Sequence, residues 1–107
     1  MPESGKRIFT FEEARGLLPR VREMTQRALE ELSGLDEDAD EEERDVEARR
    51  LVTAWARAVE ALGAEAKGTW LVDFDCGSGY YCWRWPEEAL EYFHGYAEGF
   101  AGRMRIQ

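Results

Sequence analysis

Trp70-Leu-Val-Asp-Phe74 and Tyr80-Tyr-Cys-Trp-Arg-Trp85, joined by Asp75-Cys-Gly-Ser-Gly79, decide the fold. Large apolar and polar residues alternate with a period of two, which marks half-buried strands. Gly77-Ser78 suits a two-residue type II′ turn, whose first central residue takes a positive φ. That turn pairs Phe74 with Tyr81, Asp73 with Cys82, Val72 with Trp83, Leu71 with Arg84 and Trp70 with Trp85. One face of the hairpin then holds Trp70, Val72, Phe74, Tyr81, Trp83 and Trp85, and the other collects Asp73, Asp75, Tyr80, Cys82 and Arg84. The first reads as a core face, the second as polar.

Downstream, Pro86-Glu-Glu-Ala-Leu-Glu-Tyr-Phe-His-Gly95 admits two readings, because Pro followed by acidic residues also starts helices. Two strands alone are marginal, so a third strand over Leu90–Tyr96 is expected to complete a meander. Its register decides the face of His94. A short turn pairs Arg84 with Glu91, Cys82 with Phe93 and Tyr81 with His94, which puts the histidine on the core side and keeps the aromatic pairs together. A turn one residue longer sets His94 opposite Cys82. The tail from Glu98 reads as an ordered loop anchored by Phe100.

Upstream, Thr10-Phe-Glu-Glu13 is a capping box, and Phe9 with Ala14 falls where a hydrophobic staple would. Leu17, Leu18, Val21, Met24, Ala28 and Leu32 form one apolar stripe of a helix from Phe11 to about Gly34. Pro19 is expected to break or bend its first two turns. A second helix starts in the acidic stretch and ends at Gly63, with Val46, Leu51, Val52, Trp55, Ala58, Val59 and Leu62 as its stripe. A short connection makes the two an antiparallel hairpin about 30 Å long. The architecture expected is α+β in a single domain over residues 1–107. A long helical hairpin over 11–63 packs on a small three-stranded antiparallel meander, with the sheet and C-terminal loop over 69–107.

The 107 residues carry a net charge of -9. The acidity is local: residues 35–47, the connection between the helices, hold nine acidic residues and only Arg44. The remainder is nearly neutral and has no basic cluster, so nucleic acid is not expected as a partner. No apolar run is long enough to cross a membrane. The polar amino terminus, Met1 to Arg7, shows no leader, and Cys76 and Cys82 lack metal-knuckle or redox spacing. A cytoplasmic protein with reduced thiols is expected.

Three constellations could carry chemistry. Asp36, Asp38, Asp40 and Glu47 match positions 1, 3, 5 and 12 of a calcium loop. Glu41 stands where that loop needs Gly, and Glu43 where it needs an apolar anchor, so a solvated helix-starting connection is the plainer reading. On the polar sheet face, Asp73, Cys82 and His94 could offer carboxylate, thiol and imidazole to a metal or to nucleophilic chemistry, with Arg84 beside them and Arg103 as an anion contact. This row forms only in the longer register. Ten of the thirteen aromatic residues lie between Trp70 and Phe100, and the core face accounts for five.

The chain resembles a small bacterial family of uncharacterised proteins, domain-of-unknown-function family 2203. The resemblance rests on Phe9-Thr-Phe-Glu-Glu-Ala14 running to Leu17-Leu-Pro-Arg-Val21, on Leu71-Val-Asp-Phe74, Cys82-Trp-Arg84 and His94, and on Gly99-Phe-Ala-Gly-Arg103. The family pattern has Gly before the Leu-Val-Asp-Phe run, where this chain has Trp70. The resemblance favours a third strand over a helix and supplies no activity.

The chain lacks a phosphate loop, a nucleophile elbow, a zinc quartet and paired histidines, so no cofactor is implied. The function expected is a noncatalytic homodimeric interaction or scaffold module, because long helices on a small sheet leave apolar surface uncovered. The alternative is a small metal-binding protein or enzyme using Asp73, Cys82, Arg84 and His94.

Overall fold

A computed structural model describes residues 7–106. Most of the polar amino-terminal stretch read above as lacking a leader lies outside them. Helix α1 spans Phe11–Ser33 and helix α2 spans Glu41–Ala61. Five strands follow: β1 Glu65–Gly68, β2 Leu71–Asp75, β3 Tyr80–Arg84, β4 Tyr92–His94 and β5 Met104–Arg105. They form one antiparallel meander in the order β1-β2-β3-β4-β5.

The ends of α1 follow from its sequence. Thr10 accepts from the Glu13 amide at 3.1 Å, and Glu13 accepts from the Thr10 amide at 2.9 Å. Phe9 and Ala14 are both buried, so the staple closes beside the box. Asp40 caps α2 by accepting from the Glu42 amide, and Gly63, with φ 96°, turns the chain out of the helix. Of the break or bend expected at Pro19, the break is not found: α1 runs through it without interruption. Pro19 lies on the exposed side, where water can take up the carbonyl left without an amide partner.

The core lies between the helices and one face of the sheet. Leu18, Val21, Ala28, Trp55 and Val59 meet Val72, Phe74 and Trp83 there, with Phe9 set edge-on to Phe74. A polar pair crosses it: Trp55 Nε1 donates to Thr25 Oγ1 at 2.8 Å, and Thr25 donates to the Val21 carbonyl. Two positions of the expected α2 stripe, Val46 and Ala58, are exposed. Val46 lies toward the acidic connection, past the reach of the sheet.

The β2/β3 pairing matches the expected register from Leu71↔Arg84 to Phe74↔Tyr81 and adds Asp75↔Tyr80. Gly77 has φ 93° and Ser78 is not positive, as a type II′ turn requires. Trp70 and Trp85 fall outside the ladder, joined by a hydrogen bond that the Trp85 amide donates to the Trp70 carbonyl. Trp70 sits at φ 63°, the left-handed region that glycine enters freely. Its ring packs edge-on against Trp55 at 4.9 Å.

The sheet has five strands where three were expected. β1 pairs with β2 across a bulge at Lys67. The tail is not simply a loop: after a 3₁₀ turn at Phe100–Gly102, β5 adds to β4. Both are short edge strands of four and two residues, too brief for alternation to register. β4 lies inside the expected Leu90–Tyr96 segment, but in neither register considered. Tyr80 pairs with His94 and Cys82 with Tyr92, so His94 lies on the Asp73 and Cys82 face and not on the core side. The connection causes this. It is anchored by Glu87, whose amide donates to the Arg84 carbonyl and whose own carbonyl accepts from Trp83 Nε1. Leu90 enters the core as a loop residue before β4 begins.

Candidate functional site

The sheet face turned away from the helices gathers three chemically competent side chains from three adjacent strands. Asp73 on β2 stands opposite Cys82 on β3. His94 on β4 is diagonal to Cys82, because its direct partner is Tyr80. One ligand atom from each lies within 4.8 Å of the other two, and all three residues are buried. Among the described residues no other three Asp, Glu, Cys or His side chains come together in this way.

The hydrogen bonds of His94 fix its orientation. Nδ1 lies 2.8 Å from the Gly95 carbonyl, which can only accept, so Nδ1 carries a proton. Nε2 lies 2.9 Å from Asp73 Oδ2. Asp73 Oδ1 is buried with no nitrogen or oxygen donor. Lys67 Nζ approaches Oδ2 at 3.5 Å, also reaches Glu65, and rests 3.8 Å from the Tyr80 ring centroid. Burial pulls the Lys67 ammonium down, but Asp73, Tyr80 and Glu65 together outweigh it and the net shift is upward.

Burial pushes the Cys82 thiol up to about 12, and the charge and hydrogen bonding of Asp73 reinforce the shift against an opposing Arg103. At neutral pH it is a thiol, not a thiolate nucleophile. Arg103 Nη1 lies 3.9 Å from Cys82 Sγ. Its guanidinium is clamped between the Tyr92 and Phe100 rings, at 3.9 and 4.2 Å from their centroids, and is held by both oxygens of Glu87. The expected anion contact thus meets a carboxylate of its own chain. Arg84 is exposed, with its guanidinium over Phe100 and not with the trio.

The calcium-like set does not assemble. Asp36 accepts from the Asp38 amide, Asp40 caps α2, and Glu47 pairs with Arg50 inside the helix. The hydrogen bond from Arg50 holds the Glu47 carboxyl below the usual carboxylate range.

Around the trio, Tyr80 falls on the polar face as the alternation predicts, whereas Glu65, Lys67 and Glu87 were not singled out from sequence. Glu65 and Lys67 lie on the unforeseen β1. Glu87 belongs to the connection read as a simple turn. The alternation of Glu65, Ala66 and Lys67 was the one available signal for β1.

Fold and site together define an α+β domain whose small sheet carries helices on one face and a buried carboxylate–thiol–imidazole trio on the other. The chain belongs to the family described as Uncharacterized conserved protein (DUF2203), whose model matches residues 7–106. No curated protein and no solved structure matches it.

Proposed function

We propose that this protein is a noncatalytic interaction module that works as a homodimer in the reducing cytoplasm, pairing through its helical hairpin. The observation that carries this reading is the uncovered far half of the hairpin. The last buried residue of α1 is Ala28 and the first of α2 is Leu51, while Val46 is 56% exposed on the apolar stripe between them. Val46, Arg49, Arg50, Thr53, Ala54 and Arg57 line a shallow groove on the outer side of α2.

A second copy suits that groove better than another partner, because α2 is self-complementary. Its first turn carries Glu41, Glu42 and Glu43, and Arg57 lies toward its other end. An antiparallel two-fold pairing about the middle of α2 sets Val46 against Ala54 and Glu43 against Arg57. The protonated Cys82 and the internally paired Arg103 support a noncatalytic role. Among the described residues no helix is long and apolar enough to cross a membrane.

Light scattering after size exclusion at micromolar concentration tests the reading. The expected mass is twice 12.4 kDa, falling to the monomer in Val46→Glu with unchanged helicity. A wild-type monomer, or a dimer indifferent to Val46→Glu and Arg57→Glu, contradicts it.

A further inference from the structure

We propose that Asp73, Cys82 and His94 form a binding site for one thiophilic divalent cation of the zinc class, on the sheet face opposite the helices. The hydrogen bonds around His94 carry the inference. Nδ1 donates to the Gly95 carbonyl, so a singly protonated ring turns the Nε2 lone pair toward Asp73 Oδ2, 2.9 Å away. Two acceptors at that distance need a shared cation between them, either a proton or a metal ion. A backbone carbonyl on the far ring nitrogen is also the usual outer-shell support of a metal-binding histidine.

The donor set fits such an ion. One thiolate sulfur, one imidazole nitrogen and one carboxylate oxygen suit zinc and cobalt(II) over calcium or magnesium. In a tetrahedral site these atoms stand about 3.3 to 3.8 Å apart. The three lie within 4.8 Å of one another, so closure needs shifts on the order of 1 Å. Asp73 Oδ1, buried without a nitrogen or oxygen donor, supplies a further lone pair. All three ligands rise from adjacent strands of one sheet, which holds them more rigidly than loops would.

Charge also balances. A bound divalent ion would meet two anionic ligands, the Cys82 thiolate and the Asp73 carboxylate. Of the nearest cations, Arg103 is paired with Glu87, whereas Lys67 divides between Glu65 and the ligand oxygen Asp73 Oδ2, each 3.5 Å away. Arg103 Nη1, directed at Cys82 Sγ, is placed to donate to a bound thiolate. Three protein ligands leave a fourth position to water.

Cobalt(II) titration of the full chain provides the test. The expected result is one equivalent bound, with tetrahedral visible bands and a thiolate charge-transfer band, both displaced by zinc. Cys76→Ser, at the hairpin turn, keeps the signal and Cys82→Ser loses it. Absence of the charge-transfer band in the wild type, its survival in Cys82→Ser or its loss in Cys76→Ser would overturn the site. Should Cys82→Ser not fold, zinc-edge X-ray absorption of zinc-loaded Cys76→Ser decides: one sulfur scatterer among nitrogen and oxygen supports the site, and none refutes it. Neither readout depends on whether the hairpin pairs.

Discussion

Val72, Phe74 and Trp83 on the helix side of the sheet are fully covered, and Asp73, Cys82 and His94 on the other side are covered to 2, 0 and 2% exposure. The first set gains from burial, roughly 1.5 to 3 kcal/mol for each large apolar side chain. The second loses hydration and recovers it only through specific partners: Asp73 for His94, Lys67 for Asp73, Gly95 for the far ring nitrogen. Equal burial therefore has opposite meanings on the two faces. The helix side is stabilising by area, whereas the far side holds its groups in fixed positions at a cost in hydration, under Lys67, Tyr80 and the Arg103–Glu87 pair.

The largest effect expected from dividing the faces is at Trp83. Trp83→Ala removes a fully buried ring and leaves the Glu87 carbonyl without its donor. It should cost about 3 to 5 kcal/mol in urea unfolding. A loss under about 1 kcal/mol would mean that this face is not the core.

Asp73→Ala comes next, at about 2 to 3 kcal/mol, because it strands His94 Nε2 in a buried setting. Asp73→Asn keeps an acceptor and should recover part of that loss. An Asp73→Ala protein as stable as wild type would show that the far face needs no carboxylate.

A smaller effect sharpens where the core face ends. Trp70 combines a left-handed backbone with a ring packed on Trp55. Trp70→Ala and Trp70→Gly both lose the ring, but only glycine relieves the backbone, so the glycine variant should be more stable by about 1 kcal/mol. Equal stabilities would remove the strain from the picture.

The smallest effect lies at the rim of the far face. Tyr96 donates to Asp75 Oδ1 at 2.7 Å, and that hydrogen bond raises its phenol from 10.0 to about 12. A group held protonated in the fold stabilises below its unfolded value and loses that contribution as pH rises through about 12. Ultraviolet titration should show Tyr96 as a late phenol that moves back toward 10.0 in Asp75→Asn, beside Tyr81, which burial also raises. A Tyr96 phenol that stays late in Asp75→Asn assigns its shift elsewhere.

The hairpin was legible because alternation and the Gly77-Ser78 turn fix the same register independently. The helices were legible through the Thr10 capping box and the apolar stripe of α1. β1 and β5 were not, since strands of four and two residues at a sheet edge carry too little pattern to stand out from loop. The trio was half legible. Asp73 opposite Cys82 followed from the turn, but the face of His94 turned on the connection after Trp85. There Glu87 binds back to the Arg84 backbone and Leu90 reaches the core, tertiary effects that local periodicity does not encode.

Thermal unfolding with and without saturating zinc, in the wild type, Val72→Ala and Cys82→Ser, tests the separation of the two faces most directly. Val72→Ala should melt lower than wild type yet gain the same increment from zinc, about 2.7 kcal/mol at a hundredfold excess over the dissociation constant. Cys82→Ser should gain none. A zinc increment retained in Cys82→Ser, or absent from the wild type, would contradict a core on one face and a metal centre on the other.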